Sequence, residues 1–150
     1  MPIRLLPALS VKGEFCMENL AVAEWLSLAE RDLEAAHILS GQAGQMANAC
    51  FHAQQAAEKA LKAVYAFHGL VPPKTHDLDV LRGRLEADRN RLSGTAMACA
   101  VLAMYAVDAR YPGADIEEEE VEPALDLASE VLTAVRGIVG ANAPPGPGRA

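Results

Sequence analysis

From Leu92 to Val107, sixteen consecutive residues carry no charge. That is short of the roughly 18 apolar residues a membrane-crossing helix needs, and no apolar run elsewhere in the chain reaches that length. A helix that is apolar all round is buried on several sides. The run therefore has to be wrapped by other parts of the chain or by a partner. It is predicted as a helix over about Leu92–Ala109. One stripe, Leu92, Ala96, Cys99, Ala103 and Ala106, is expected to face the core. A second, Met97, Val101 and Met104, lies on a different side and is expected to form a dimer interface.

The wrapping elements are also predicted as helices. No run alternates apolar and polar positions as a half-buried strand would, and aromatic residues make up only 5%. Val22, Leu26, Ala29, Leu33 and Ala36 step by four and three, predicting a helix over about Glu18–Ser40. Glu24, Ser27, Glu30 and Glu34 lie on its outer side, and Gly41 and Gly44 end it. A second helix is expected over about Gln45–His68. Its core stripe is Met46, Cys50, Ala53, Ala57, Leu61 and Val64. A polar stripe carries His52, Gln55, Lys59 and Lys62. Gly69 is placed to end this helix in a left-handed turn ahead of Pro72-Pro73. A short third helix is expected through Leu78, Leu81 and Leu85, capped by Thr75 or Asp77. A polar turn follows at Asp88–Arg91. An acidic run, Asp115 to Glu122, leads into a last helix with Pro123 in its first turn and Leu125, Ala128, Leu132, Val135 and Ile138 or Val139 inward.

These elements predict an all-α fold, an antiparallel four- to five-helix up-and-down bundle over residues 18–140. Residues 1–17 are expected to form a flexible arm, with too little charge and apolar length for a signal peptide. The Pro/Gly tail, 141–150, is expected to be disordered. The 150-residue chain fits one domain with one core. A net charge of −7 argues against broad attraction to nucleic acid or anionic membrane, though not against a local basic patch. Cys16, Cys50 and Cys99 are odd in number and widely spaced, as expected for free thiols in the cytoplasm. His37, His52, His68 and His76 fall on different elements and predict no metal site.

Three segments together resemble the HEPN domain family. They are Ala29-x-x-Asp32-Leu33-x-Ala35-Ala36; Ala49-Cys50-Phe51-His52-Ala53-Gln54-Gln55-Ala56-Ala57-Glu58-Lys59-Ala60-Leu61-Lys62-Ala63 followed by Gly69 and Pro72-Pro73; and Lys74-Thr75-His76-Asp77-Leu78, with Tyr111-Pro112 further on. Their order and spacing also match the family. The resemblance implies a helical bundle that dimerises, and a small nucleotidyltransferase as partner, often in a toxin–antitoxin pair. It further implies a nucleotide or RNA as ligand in some members and metal-independent RNase activity in others. No cofactor is implied.

The RNase branch resembles an Arg followed four to six residues later by His in the later part of the domain. Such a pair would supply a proton carrier and a phosphate clamp. Here no His follows Arg110. The matching spacing, Arg31 to His37, lies in the first helix, where the family does not place it. The leading expectation is a non-catalytic binding and interaction module. The alternatives are an RNase toxin using Arg31 and His37, or a purely structural helical dimer. Lys59, Lys62, Lys74, His76 and Arg110 are the candidates for phosphate contact. Lys59 and Lys62 share a helix face, and Lys74 and His76 precede the third helix, whose free N–H groups would favour anions. Glu58 is spaced to pair with Lys62.

Overall fold

The structure, a computed structural model, describes residues 6–108 and 115–140, with side chains over 20–107 and 115–140. The expected disordered tail, 141–150, lies outside the described residues. The described residues contain no strand. Helix α1 spans Leu6–Ser40, α2 Met46–Phe67, α3 Leu78–Gly83, α4 Arg89–Leu92, α5 Ala96–Ala103, α6 Tyr105–Asp108 and α7 Glu118–Gly140, with short 3-10 turns at Glu86–Asp88 and Ser93–Thr95.

The long helices follow their apolar stripes. In α1, Val22, Ala29 and Ala36 are buried, with Leu26 and Leu33 packed against the core. The helix begins at Leu6 rather than Glu18, so most of the expected arm is helical. Pro7 falls in the first turn, where its missing N–H would have no partner anyway. Helix α2 is central and packs on α1, α3, α5, α6 and α7. Its alanines at 49, 53, 56, 57, 60 and 63 are all buried, and such small side chains let neighbouring backbones come close. Gly69 ends it at φ +67°. The Leu70 N–H donates to the Tyr65 carbonyl at 2.8 Å and the Gly69 N–H to that of Ala66 at 3.0 Å, the double closure of a left-handed glycine cap. In α7 the expected inward residues Leu125, Ala128, Leu132, Val135, Ile138 and Val139 are buried. Pro123 sits six residues into α7 rather than in its first turn, because the helix starts earlier, at Glu118. Glu120 reaches back to the Glu117 N–H at 2.8 Å and stabilises that earlier start.

The expected fourth helix is not continuous. Ser93 and Thr95 turn their hydroxyls back onto the carbonyls of Asn90 and Leu92, at 2.8 and 2.6 Å, and tighten the chain into a 3-10 turn. At Met104 the ladder breaks again, with the Met104 N–H reaching the Val101 carbonyl three residues back. The buried set follows these breaks. Leu92, Thr95, Ala98, Cys99, Leu102, Tyr105 and Ala106 face inward, while Ala96 and Ala103, expected in the core, are half-buried.

The pairings fix the topology. Asp32 meets residues 52 and 59, while Trp25, earlier in α1, meets Lys62, so α1 and α2 are antiparallel. His68 near the end of α2 meets Asp88, and Tyr105 meets the Glu120 carboxylate near the start of α7, beside Cys50 near the start of α2. The segment from α3 to α6 therefore climbs back along α2, and α7 descends parallel to α2: an up-and-down bundle.

Candidate functional site

The polar positions of α2 recur three and four residues apart and so lie along one edge of the helix, beside α1. Asp32 stands on the buried stripe of α1, three residues after Ala29 and four before Ala36. Its carboxylate is nearly closed off from solvent and needs partners. His52 Nδ1 donates to Asp32 Oδ1 at 2.8 Å, and the Lys59 ammonium donates to Oδ2. One turn further along, the arrangement recurs. Glu58 is buried; Lys62 Nζ donates to its Oε1 at 2.8 Å, and His76 Nδ1 to its Oε2 at 3.1 Å. Gln54 and Gln55 each add an N–H at 3.2 Å. Burial alone would push the Glu58 carboxyl up. The hydrogen bonds from Lys62 and His76, with the Lys62 charge and Gln54, outweigh it and hold Glu58 below its ordinary value. Lys62 also lies 5.5 Å over the Trp25 ring of α1, a cation–π contact.

This network positions the loop between α2 and α3. The fully buried Gln54 donates to the His76 carbonyl at 3.2 Å, and Tyr65 Oη donates to the Leu81 carbonyl at 2.7 Å. The Gln-Gln-x-x-Glu and Thr-His-Asp segments are thus two halves of one clamp.

The structure brings together Lys59, Lys62 and His76, each already holding a carboxylate. Lys74 is exposed on the loop ahead of α3. The N–H groups expected to attract an anion at the start of α3 are taken, since Asp77 Oδ1 accepts from Asp79 N at 2.9 Å and Val80 N at 3.3 Å. Arg110 lies outside the described residues. Arg31 and His37 are both exposed on α1. Six helical residues separate them by about 9 Å along the axis and roughly 120° around it, so α1 does not present them as a pair. Asp32, His52 and Gln54 complete the seam; sequence reasoning put His52 on the polar stripe and Asp32 and Gln54 in the family segments but named none of them as a site residue. The signal for Asp32 was a carboxylate on a buried stripe.

The second feature is apolar. Met97 is 74% exposed and Met104 53%, and Val107, further along the same uncharged segment, is exposed too. Val101 is half-buried and packed against the core. Cys50 and Cys99 are buried, and burial first of all pushes both thiols up to about 11. At that value they are neutral and unreactive near pH 7. Among the described residues no three His, Cys, Asp or Glu side chains gather as a metal site, and no helix is long and apolar enough to cross a membrane.

Comparison with known proteins adds the following. A family model described as HEPN domain matches residues 22–138. The crystal structure of an archaeal HEPN homologue superposes with a TM-score of 0.64 at 28% identity, covering 79% of this chain and 97% of that one. No curated protein matches.

Proposed function

The chain belongs to the HEPN domain family, and on that footing we propose that it is an interaction module, not a nuclease, that works through its α5–α6 face. The first occupant of that face is a second copy of the chain. The resulting homodimer is then the unit that meets a small nucleotidyltransferase. One observation carries the reading: Met97, Met104 and Val107 stand in solvent on a segment with no charge, while its other side is core. Large apolar side chains grouped in this way favour association, and methionine adapts to a partner surface. The nucleotidyltransferase rests on family membership. The separation of Arg31 and His37 on α1, and the lack of a His after Arg110, weigh against the RNase alternative.

The test is light scattering on the wild type beside Met97→Glu. Val101 is a poorer probe, because a Glu there would also meet the core. The wild type is expected at twice the 15.9 kDa of one chain, and Met97→Glu at one chain with an unchanged helical spectrum. A wild type that stays at one chain at micromolar concentration refutes the reading. Purified protein incubated with RNA in EDTA should leave it intact; cleavage lost in His37→Ala would restore the RNase alternative.

A further inference from the structure

The solvent side of the uncharged segment carries a regular line. Ser93, Met97, Ala100, Met104 and Val107 are all exposed, and they step by four, three, four and three residues. That is the spacing at which one helix meets another lying along it. Ala100 stands at the middle of the line, inside α5, with a methionine on either side. An alanine there lets a second backbone come close, and the methionines can fill the space above and below it. Beyond the two ends of the line the charges are opposite. Arg89 and Arg91 precede it, and Asp115, Glu117, Glu118 and Glu119 follow it. Asp88, next to Arg89, meets His68 at the end of α2, whereas Glu120, next to Glu119, meets Tyr105 beside Cys50 near the start of α2. The two sets therefore lie at opposite ends of the bundle. Among the described residues the four acidic side chains form no ion pair, and Arg91 forms none although Asp126 and Glu130 line the same groove. Arg89 reaches Glu86 at 3.8 Å with both side chains largely in water.

We propose that a second copy of the chain docks on this line turned end for end, about a two-fold axis at Ala100, and that the Arg89–Arg91 turn of each copy pairs with the acidic start of α7 of the other. The inference rests on the reading of the α5–α6 face as the contact between two copies; it adds which way round they lie and what sets that direction. A two-fold contact uses the same patch on both copies, so the patch must complement itself. Turned end for end about Ala100, the line does so: Ala100 meets the partner's Ala100, and Met97 meets the partner's Met104. Its charges do so as well. Arg91 stands nine residues before Ala100, while Glu120 is level with Tyr105, five residues after it, with the rest of the acidic run further out. A half-turn therefore carries the arginines of one copy toward the carboxylates of the other. Two copies laid parallel would instead set arginine against arginine and carboxylate against carboxylate, which complementary interfaces avoid.

Disulfide trapping reads the direction. The background is Cys16→Ser, since Cys50 and Cys99 are buried. Under mild oxidation Ala100→Cys should form a covalent dimer, because a disulfide needs its two Cα atoms within about 7 Å. Met97→Cys mixed with Met104→Cys should give about tenfold more covalent dimer than either variant alone. Ala23→Cys, exposed on α1, should give none. Charge exchange reads the cause. Arg89→Glu/Arg91→Glu and Glu117→Lys/Glu119→Lys, with their helical spectra verified, should each dimerise about tenfold more weakly than the wild type. An equimolar mixture of the two should regain the wild-type dimer, because every opposed pair is again of opposite sign. The mixture contains the same chains as the two separate samples, so regained mass excludes misfolding as the cause of the loss. Covalent dimer from each methionine variant alone but none from their mixture overturns the proposal, and so does a charge-exchange mixture that stays at one chain. Light scattering on the wild type separates the two levels. A wild type at one chain removes the dimer reading and this arrangement with it. A wild type at two chains with failed trapping or exchange removes this arrangement alone.

Discussion

Along the α1–α2 seam Asp32 and Glu58 each meet a lysine and a histidine of the same chain, whereas along α5 and α6 Met97, Met104 and Val107 face solvent. The seam is complete within one chain, because a buried carboxylate without partners would cost too much to keep. The α5–α6 face leaves apolar side chains in water, because an exposed methionine costs its own chain little. On the proposed reading, the fold places its stability and its outward contacts in different regions. Substitutions in the seam should act on folding. Substitutions on the face should act on assembly.

The hardest test of that division is Glu58→Ala. It removes the acceptor of Lys62, His76, Gln54 and Gln55 at once and loosens the clamp on the α2–α3 loop. Removing one partner of a buried ion pair typically costs 3–5 kcal/mol; with Lys62 and His76 partly in water, a loss of about 3 kcal/mol is expected in urea denaturation. An unchanged midpoint would mean that the seam does not hold the bundle together. Acid probes the same carboxyl. Its native value lies below the ordinary 4.5, so the unfolded chain takes up the proton first on acidification. Glu58 therefore contributes its full stability above about pH 4.5 and loses it as pH falls from there through the native value. Melting temperatures taken on either side of pH 4.5 should show a smaller acid loss in Glu58→Gln than in the wild type.

A smaller effect is expected where the chain leaves the clamp. Asp77 caps α3 through two backbone N–H groups, and Asp77→Ala should cost about 1 kcal/mol in the same urea experiment. Although α3 packs against α5, the effect of Asp77→Ala on mass should be nil, since the Asp77 side chain is exposed and Met97 and Met104 face solvent. A cap variant that dissociated the dimer would show that the two regions are coupled.

The sequence made the two kinds of region legible to different degrees. Where apolar residues recur every three or four positions without interruption, as in α2 and α7, the helix and its buried side could be read directly. Where Ser93, Gly94 and Thr95 interrupt the uncharged run, periodicity alone misassigned Ala96 and Ala103. The deciding events there are hydroxyl-to-carbonyl bonds to Asn90 and Leu92, which a smooth helical pattern does not contain. Within the seam, the Glu58–Lys62 pair was readable because it is four residues apart on one helix. The Asp32 pairs span 20 and 27 residues and depend on the register of α1 against α2, which no local spacing specifies. The cationic face formed by Lys59 and Lys62 was visible, and so was Glu58 beside Lys62, but Asp32, the carboxylate that neutralises Lys59, was not.

The smallest effect on folding, and the sharpest on assembly, is expected from Met104→Glu. Met104 sits at the break between α5 and α6, with about half of its surface in water, so a longer polar side chain can point outward without disturbing Cys99 or Leu102 beneath it. Surface substitutions away from caps and pairs usually stay within about 0.5 kcal/mol of the wild type, and the urea midpoint should move no further than that when measured where the wild type is also monomeric. At concentrations where the proposed wild-type dimer would form, two copies of Met104→Glu would bring like charges together across an apolar contact. Desolvating an unpaired carboxylate there is far more costly than leaving it in water. The variant should therefore elute as one chain while unfolding at the wild-type monomer's midpoint. If it unfolds early instead, Met104 belongs to the core of its own chain, and the division between a self-sufficient seam and an unfinished face fails at the residue chosen to represent it.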